Sequence, residues 1–337
     1  MDNDREKNQD NEAWLKDIPV RSEDIGFKAE EMSQCPKCGK NNPPTRPNCF
    51  YCTADLEVHA TEIRSAKLNL RRLEPWEKGF NIINLPGSLK TLDTVSITRL
   101  LSMDADHLKQ VTEAEGSIPI ARLESRKEAE AAVEILSQYG LESKVIGDDE
   151  LLTDKLPVRL RGLEFCEEIL VLTLFNTNEK RDIRYSEISL IITGAIFESR
   201  TETVEKRKKK DREILLETQT SSDGDLIDIY TFDDPAGYRV PVKGFDFSCL
   251  GADKGLLAAE NIRRLIVDLR SFAPGAKFVS DYVANRALLG IVWEVERRKD
   301  SSGLQRTGFG RKDFTNVESS NNLQQFTKYS RLQRHLL

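Results

Sequence analysis

The sequence predicts an α+β multidomain chain, and three observations carry that prediction. Four cysteines, Cys35, Cys38, Cys49 and Cys52, stand in two C-x-x-C pairs ten residues apart. Between Phe80 and Gly147 the apolar residues alternate between a period of two and a period near 3.6, the patterns of strands and of helices. Beyond Pro157, strand-like segments follow one another and then give way to an amphipathic helix. A length of 337 residues accommodates about two or three domains, and an apolar content of 39% suffices for a sizeable core.

Residues 1–33 are rich in charge and poor in aliphatic side chains, too little apolar surface to offset chain entropy, so a disordered acidic arm is expected. Trp14, with Leu15 and Ile18, is its apolar cluster. The arm lacks the basic and apolar regions of a secretory signal, and no apolar run approaches the roughly 18 residues that span a bilayer. A cytoplasmic address follows as an expectation. Residues 34–56 hold the cysteines. Residues 57–78 read as a helical linker, with Ile63, Leu70 and Leu73 on one face of a helix over about 60–73 and Pro75 stopping it.

Residues 79–150 read as a small α/β domain of order β-α-β-α-β. Phe80–Leu85 and Ile118–Leu123 are strand-like, Val95–Glu113 is helix-like, and Ser125 caps a second helix that Gly140 ends before LESKVIG. Residues 155–275 form a β-rich domain. Its segments VRLRGLEF, EEILVLTLF, SEISLIITGAIFES, REILLETQT, DLIDIYTF and YRVPVKGFDF are separated by turn clusters such as NTNEKRD, SSDGD and DDPAG. The helix that closes it carries Leu257, Ile262, Leu265, Ile266 and Leu269 as its apolar stripe. A further helix is expected within 276–299, and 300–337 is a basic tail. Phe309, Phe314, Phe326 and Tyr329 argue that part of this tail packs on the body.

Chemistry is written most clearly in the cysteines. Thiolates favour a soft metal, and four of them in tetrahedral array satisfy zinc without leaving a position for substrate. Cys35, Cys38, Cys49 and Cys52 are therefore the expected ligands of one structural Zn2+, and paired thiols of this kind fit a reducing compartment. Gly39 suits the left-handed turn that a C-x-x-C knuckle needs, whereas Thr53 occupies the equivalent place in the second knuckle. Phe50 and Tyr51 are expected to cover the metal. Cys166 and Cys249, in apolar surroundings, read as packed core thiols.

Four resemblances attach to these segments. Cys-Pro-Lys-Cys-Gly with a proline-rich loop after it resembles the knuckles of bacterial zinc ribbons. The spacing through Asn42 is similar to the Ran-binding-protein type of finger, which implies RNA or ubiquitin binding; Ser33 stands where that family has Trp, and Gly39-Lys40 where its ubiquitin-binding members have Thr-Phe. The segment ARLESRKEAEAAVEILSQYGLESKVI resembles α/β units of the ferredoxin, ACT or sporulation-repeat kind. RYSEISLIITGAIFES, with a late helix from about Gly255, resembles a pleckstrin-homology-like (PH-like) barrel capped by helices.

Net charge is −6, so the whole molecule is no electrostatic match for nucleic acid. From Arg297 onward nine Lys/Arg face three Asp/Glu, which places +6 there and −12 on the remainder. The basic run Lys206, Arg207, Lys208, Lys209 and Lys210 reads as a solvated loop tip flanked by acids, and anionic lipid is not favoured as a partner. Arg311, Lys312, Lys328, Arg331 and Arg334, interleaved with Phe326 and Tyr329, are the better candidates for nucleic acid.

No catalytic constellation is visible. His59, His107 and His335 stand outside any Ser/Asp or Cys pattern, and Gly308-Phe309-Gly310 is no phosphate loop. Asp148-Asp149 and Asp233-Asp234 read as turn residues. The expected function is a zinc-binding adaptor or regulatory protein that is not an enzyme and acts through a protein partner. The alternative is a nucleic-acid-binding protein using the zinc ribbon and the basic C-terminal tail.

Overall fold

A computed structural model describes residues 32–43, 46, 49–54, 56, 73, 74, 77–87, 91–207, 212–241, 243–308 and 311–337. The acidic arm with Trp14, Leu15 and Ile18, and the linker helix apart from Leu73, lie outside these residues. The chain divides into two units, Met1–Val58 and His59–Leu337. In the first, β1 (Ser33–Gln34) pairs antiparallel with β2 (Asn41–Asn42). Its core is small: Cys35, Cys49 and Leu56 are buried, with Cys52 and Ala54 against them.

The second unit opens with β3 (Phe80–Asn84), α1 (Thr94–Leu101), α2 (Ala105–Glu113), β4 (Ile118–Leu123), α3 (Arg126–Gln138) and β5 (Ser143–Gly147). The order of elements is the expected one, but the first helical stretch breaks in two. Ser102 takes a left-handed φ of 48° after α1, and Asp104 restarts the chain as α2 by accepting from the Asp106 amide at 2.7 Å. The sheet order is β4-β3-β5, with β3 antiparallel to both neighbours. β4 and β5 therefore run parallel with β3 inserted between them, a split β-α-β. Gly140 ends α3 at φ 89°, where a Cβ would lie 2.6 Å from the Thr91 carbonyl oxygen. Both constraints select glycine.

The β-rich part is β6 (Val158–Phe165), β7 (Ile169–Leu174), β8 (Lys180–Arg184), β9 (Ile188–Arg207), β10 (Arg212–Thr231) and β11 (Tyr238–Pro241), followed by α4 (Ala258–Phe272). These strands are two antiparallel sets of three joined by parallel pairing of β11 with β6. Among the described residues β8 and β9 do not pair, so the expected barrel is not closed. On α4, Ile262, Leu265 and Leu269 are buried against Leu160, Leu172, Ile191 and Ile227, as their helical spacing requires. Leu257 leaves the expected stripe: it is the N-cap residue and is exposed.

Two sequence readings are corrected in β10 and in the C-terminal region. The SSDGD cluster, expected to turn, lies inside β10, because Ser221 to Asp225 continue the ladder with β9 from Ser199 back to Ala195. Residues 276–299 hold more than a helix: β12 (Lys277–Val279) pairs parallel with β9, α5 is Tyr282–Val292, and β13 starts at Glu296. The basic tail is a hairpin of β13 (Glu296–Gly308) and β14 (Arg311–Asn321), then α6 (Leu323–His335). β14 adds to β9, giving the order β13-β14-β9-β10-β11-β6-β7-β8. Polar strands of this kind carry no alternating apolar signal, and only the neighbouring strands make them regular.

α6 is the most buried helix surface of this region. Phe326, Tyr329 and Leu332 are fully enclosed. Gly194 on β9 makes room for it, since a Cβ there would stand 2.3 Å from the Phe326 ring. Beneath α6 a closed polar network replaces apolar contact. Arg239 donates twice to Asp228, at 2.6 and 2.7 Å, and to Thr327 Oγ1 at 3.0 Å. Ser330 donates to Asp228 at 2.8 Å and shares a 2.7 Å bond with the Tyr230 hydroxyl. Every charge there has its partner, the condition under which burial of an ion pair is tolerated.

Candidate metal centre

The cysteine loops build one another. Gly39 N–H donates to the Cys35 carbonyl at 2.9 Å, and Thr53 N–H to the Cys49 carbonyl at 2.9 Å. Cys35 N–H in turn reaches the Lys40 carbonyl at 2.9 Å, and Cys49 N–H the Ala54 carbonyl at 2.8 Å. The two knuckles thus repeat one geometry fourteen residues apart. Gly39 meets the left-handed requirement at φ 69°, and Thr53 takes the same conformation at φ 56° in spite of its branched Cβ. Asn42, fully buried, couples the two: its amide donates to the Lys40 carbonyl at 2.8 Å while its oxygen accepts from Phe50 N–H at 2.8 Å.

This brings together the four cysteines that the sequence singled out. Their sulfurs all lie within 4.8 Å of one another, Cys35 to Cys52 at 3.6 Å and Cys38 to Cys49 at 3.5 Å. A tetrahedron with metal–sulfur bonds of 2.3 Å has sulfur–sulfur edges of about 3.8 Å, so the set fits a metal ion such as zinc. All four are free thiols. Burial pushes the Cys49 thiol up, but the Tyr51 and Cys52 amides and Cys38 outweigh it and bring the group down to about 6. For Cys52 the Ala54 amide acts downward, while burial and the three neighbouring sulfurs carry the group up to about 12. Four sulfurs so close share protons unequally, and a cation at their centre relieves that repulsion.

Phe50 and Tyr51 do not cover the metal position. They are 68% and 55% exposed, meet edge to face at 5.5 Å, and project beside the second knuckle. Lys40 Nζ lies 4.3 Å from the Tyr51 ring centre and the Arg46 guanidinium 5.2 Å from that of Phe50. The cations stand over the ring faces.

Other expected site residues separate. Arg331 is buried, its guanidinium on the carbonyls of Pro235 and Lys155, and Arg334 donates to the carbonyls of Thr231 and Phe232. Burial lowers the Lys328 ammonium from its usual range. With Phe326 and Tyr329 in the core, these residues fasten α6 and present no basic-aromatic face. Asp148 is not a turn residue of the ordinary kind: it is buried, paired with Arg122, and accepts from Gly79 N–H and the Asn81 amide, both at 2.9 Å. Asp149 is exposed and pairs with Lys78. Asp234 does organise a turn, accepting from Ala236 N–H at 2.8 Å. Cys166 and Cys249 are half-buried, and burial pushes the Cys249 thiol up to about 11. Of the histidines, His59 is outside the described residues, His107 Nε2 is buried with no hydrogen-bond partner among the described residues, and His335 Nε2 lies 3.9 Å from a Glu150 carboxylate oxygen. The sequence reading missed the Asp228–Arg239 and Asp148–Arg122 pairs because their partners are set by sheet register.

Fold and site together define a mixed α/β chain with a four-cysteine, metal-type knuckle. No family model matches the chain, and no curated protein or solved structure is significantly similar to it. No described helix is long and apolar enough to cross a membrane.

Proposed function

We propose that the chain is a non-enzymatic adaptor in which Cys35, Cys38, Cys49 and Cys52 hold one structural Zn2+ and the resulting zinc-ribbon tip docks a protein partner. The observation that carries this reading is the pairing of a closed, four-sulfur cluster with an exposed aromatic pair beside it. A tetrathiolate site has no vacancy for chemistry, and its metal instead fixes the backbone that displays Phe50 and Tyr51. Exposed rings flanked by Lys40 and Arg46 suit an acidic protein surface with aliphatic patches. A nucleobase would have to displace those cations to stack, which counts against the nucleic-acid alternative. The two sets of three strands closed by α4 support a PH-like reading of 155–275, opened between β8 and β9, as a second scaffold.

Elemental analysis of the purified chain should give one zinc per molecule; iron, with its visible absorbance, would overturn the metal assignment. Affinity capture from the native cell should then be run with wild type, Phe50→Ala/Tyr51→Ala, and Cys49→Ser/Cys52→Ser. A protein held by wild type and lost with both variants is the expected result. Capture unaffected by the aromatic variant, or abolished by nuclease, would sink the docking reading.

A further inference from the structure

Two basic segments, one read as a solvated loop tip and the other as a candidate for nucleic acid, are neighbours in the fold. Lys206 and Arg207 end β9 and Arg212 begins β10, with Arg207 opposite Arg212. Arg306 lies near the end of β13 opposite Lys312, and Arg311 begins β14 opposite Gly308. β14 and β9 are paired, with Asp313 opposite Lys206, so both hairpins end at the same level of one four-stranded antiparallel stretch. At about 4.8 Å between strands, the centres of the two hairpin ends are about 10 Å apart. Six basic residues separated by a hundred positions in sequence thus share one end of a sheet, against Glu205, Glu213 and Asp313. Two residues beyond Arg212, in a part of β10 that β11 does not reach, Ile214 and then Leu216 are 60% and 58% accessible.

We propose that this end of the sheet is a docking surface for an anionic lipid bilayer. Charge complementarity favours a lipid surface over a polymer. The net positive charge is confined to the end: below it Arg200, Arg297, Arg298 and Lys299 are outnumbered by Glu198, Glu202, Glu217, Glu296, Asp300 and Glu318, so no basic track runs along the sheet for a nucleic acid to follow. Four strands side by side span about 14 Å before side chains are added, wider than the major groove that admits a two-stranded ribbon. A flat layer of acidic head groups meets the whole end at once, and aliphatic side chains next to basic ones suit its boundary with the acyl chains. Each hairpin end contributes three of these six basic residues.

The test is co-sedimentation of the full chain with vesicles of phosphatidylcholine alone and of phosphatidylcholine mixed three to one with phosphatidylserine. Binding is expected only to the mixed vesicles, and it should weaken as salt rises. Replacing three basic residues at either hairpin end, Lys206→Ala/Arg207→Ala/Arg212→Ala or Arg306→Ala/Arg311→Ala/Lys312→Ala, should each weaken partition by about a hundredfold. Ile214→Ser/Leu216→Ser should weaken it less. The exposed control Lys109→Ala/Lys180→Ala/Arg263→Ala should leave it unchanged, and unaltered thermal unfolding of each variant shows that the fold is kept. Equal binding to both vesicles, binding to neither, loss in the control, or insensitivity to one of the two hairpins overturns the proposal. So does salt-sensitive binding to duplex DNA or RNA by a chain that ignores the mixed vesicles.

Discussion

Asn42→Ala is the most informative single change at the knuckle. The substitution removes two hydrogen bonds of 2.8 Å and leaves Phe50 N–H without its acceptor in a part-buried position. The Lys40 carbonyl, on an exposed residue, recovers most of its loss from water. Together the changes cost about 2 kcal/mol. In a segment whose core consists of little beyond Leu56 and the cysteines, metal binding and folding are one equilibrium. That cost therefore transfers to zinc affinity as a loss of about thirtyfold. Competition against a chromophoric chelator measures it directly, with total zinc content as the control for ligand integrity. An affinity within about twofold of wild type would refute the argument that Asn42 couples the two knuckles.

Three further outcomes test the larger unit. Asp228→Ala leaves Arg239 buried without its counter-charge and should lower the melting temperature by on the order of 10 °C; a fall under about 2 °C would show that the pair is dispensable. Gly194→Val drives a side chain into the Phe326 ring and should cost about 1 to 3 kcal/mol, and Phe326→Ala in the same chain should recover part of it, so purely additive losses would contradict the contact. Burial holds the His107 imidazole below its ordinary value of 6.5, with Asp104 opposing. The unfolded chain then takes up that proton first, so the stability contribution is full above pH 6.5 and lost as pH falls through the lower folded value. Urea titrations of His107→Gln across this range should show a shallower pH slope than wild type, and an identical slope would place the effect elsewhere.

Local chemistry made parts of this fold readable. Ser125 and Gly140 bound α3 as written, and the stripe Ile262, Leu265 and Leu269 buried as its spacing demanded, because caps and amphipathic periods act within a few residues. Where the signal was non-local the reading failed. The SSDGD cluster has the composition of a turn, yet pairing with β9 holds it extended. The tail from Asp300 does pack in part through its aromatics, with Phe326 and Tyr329 in the interior as expected, but the polar hairpin that extends the main sheet has no local signal in the sequence. Phe50 and Tyr51 were placed over the metal on the strength of their position between ligands, and the knuckle turns them outward.

By itself the sequence determined which four cysteines cluster and the glycine that lets the first knuckle turn, since a C-x-x-C loop closes on its own hydrogen bonds whatever surrounds it. Only the tertiary structure decided that Asp228 meets Arg239, that Asp148 meets Arg122, and that Lys206, Arg207 and Arg212 lie at the same sheet end as Arg306, Arg311 and Lys312. Strand register sets these meetings, and register is fixed by pairing between segments far apart in the chain, which no local pattern encodes.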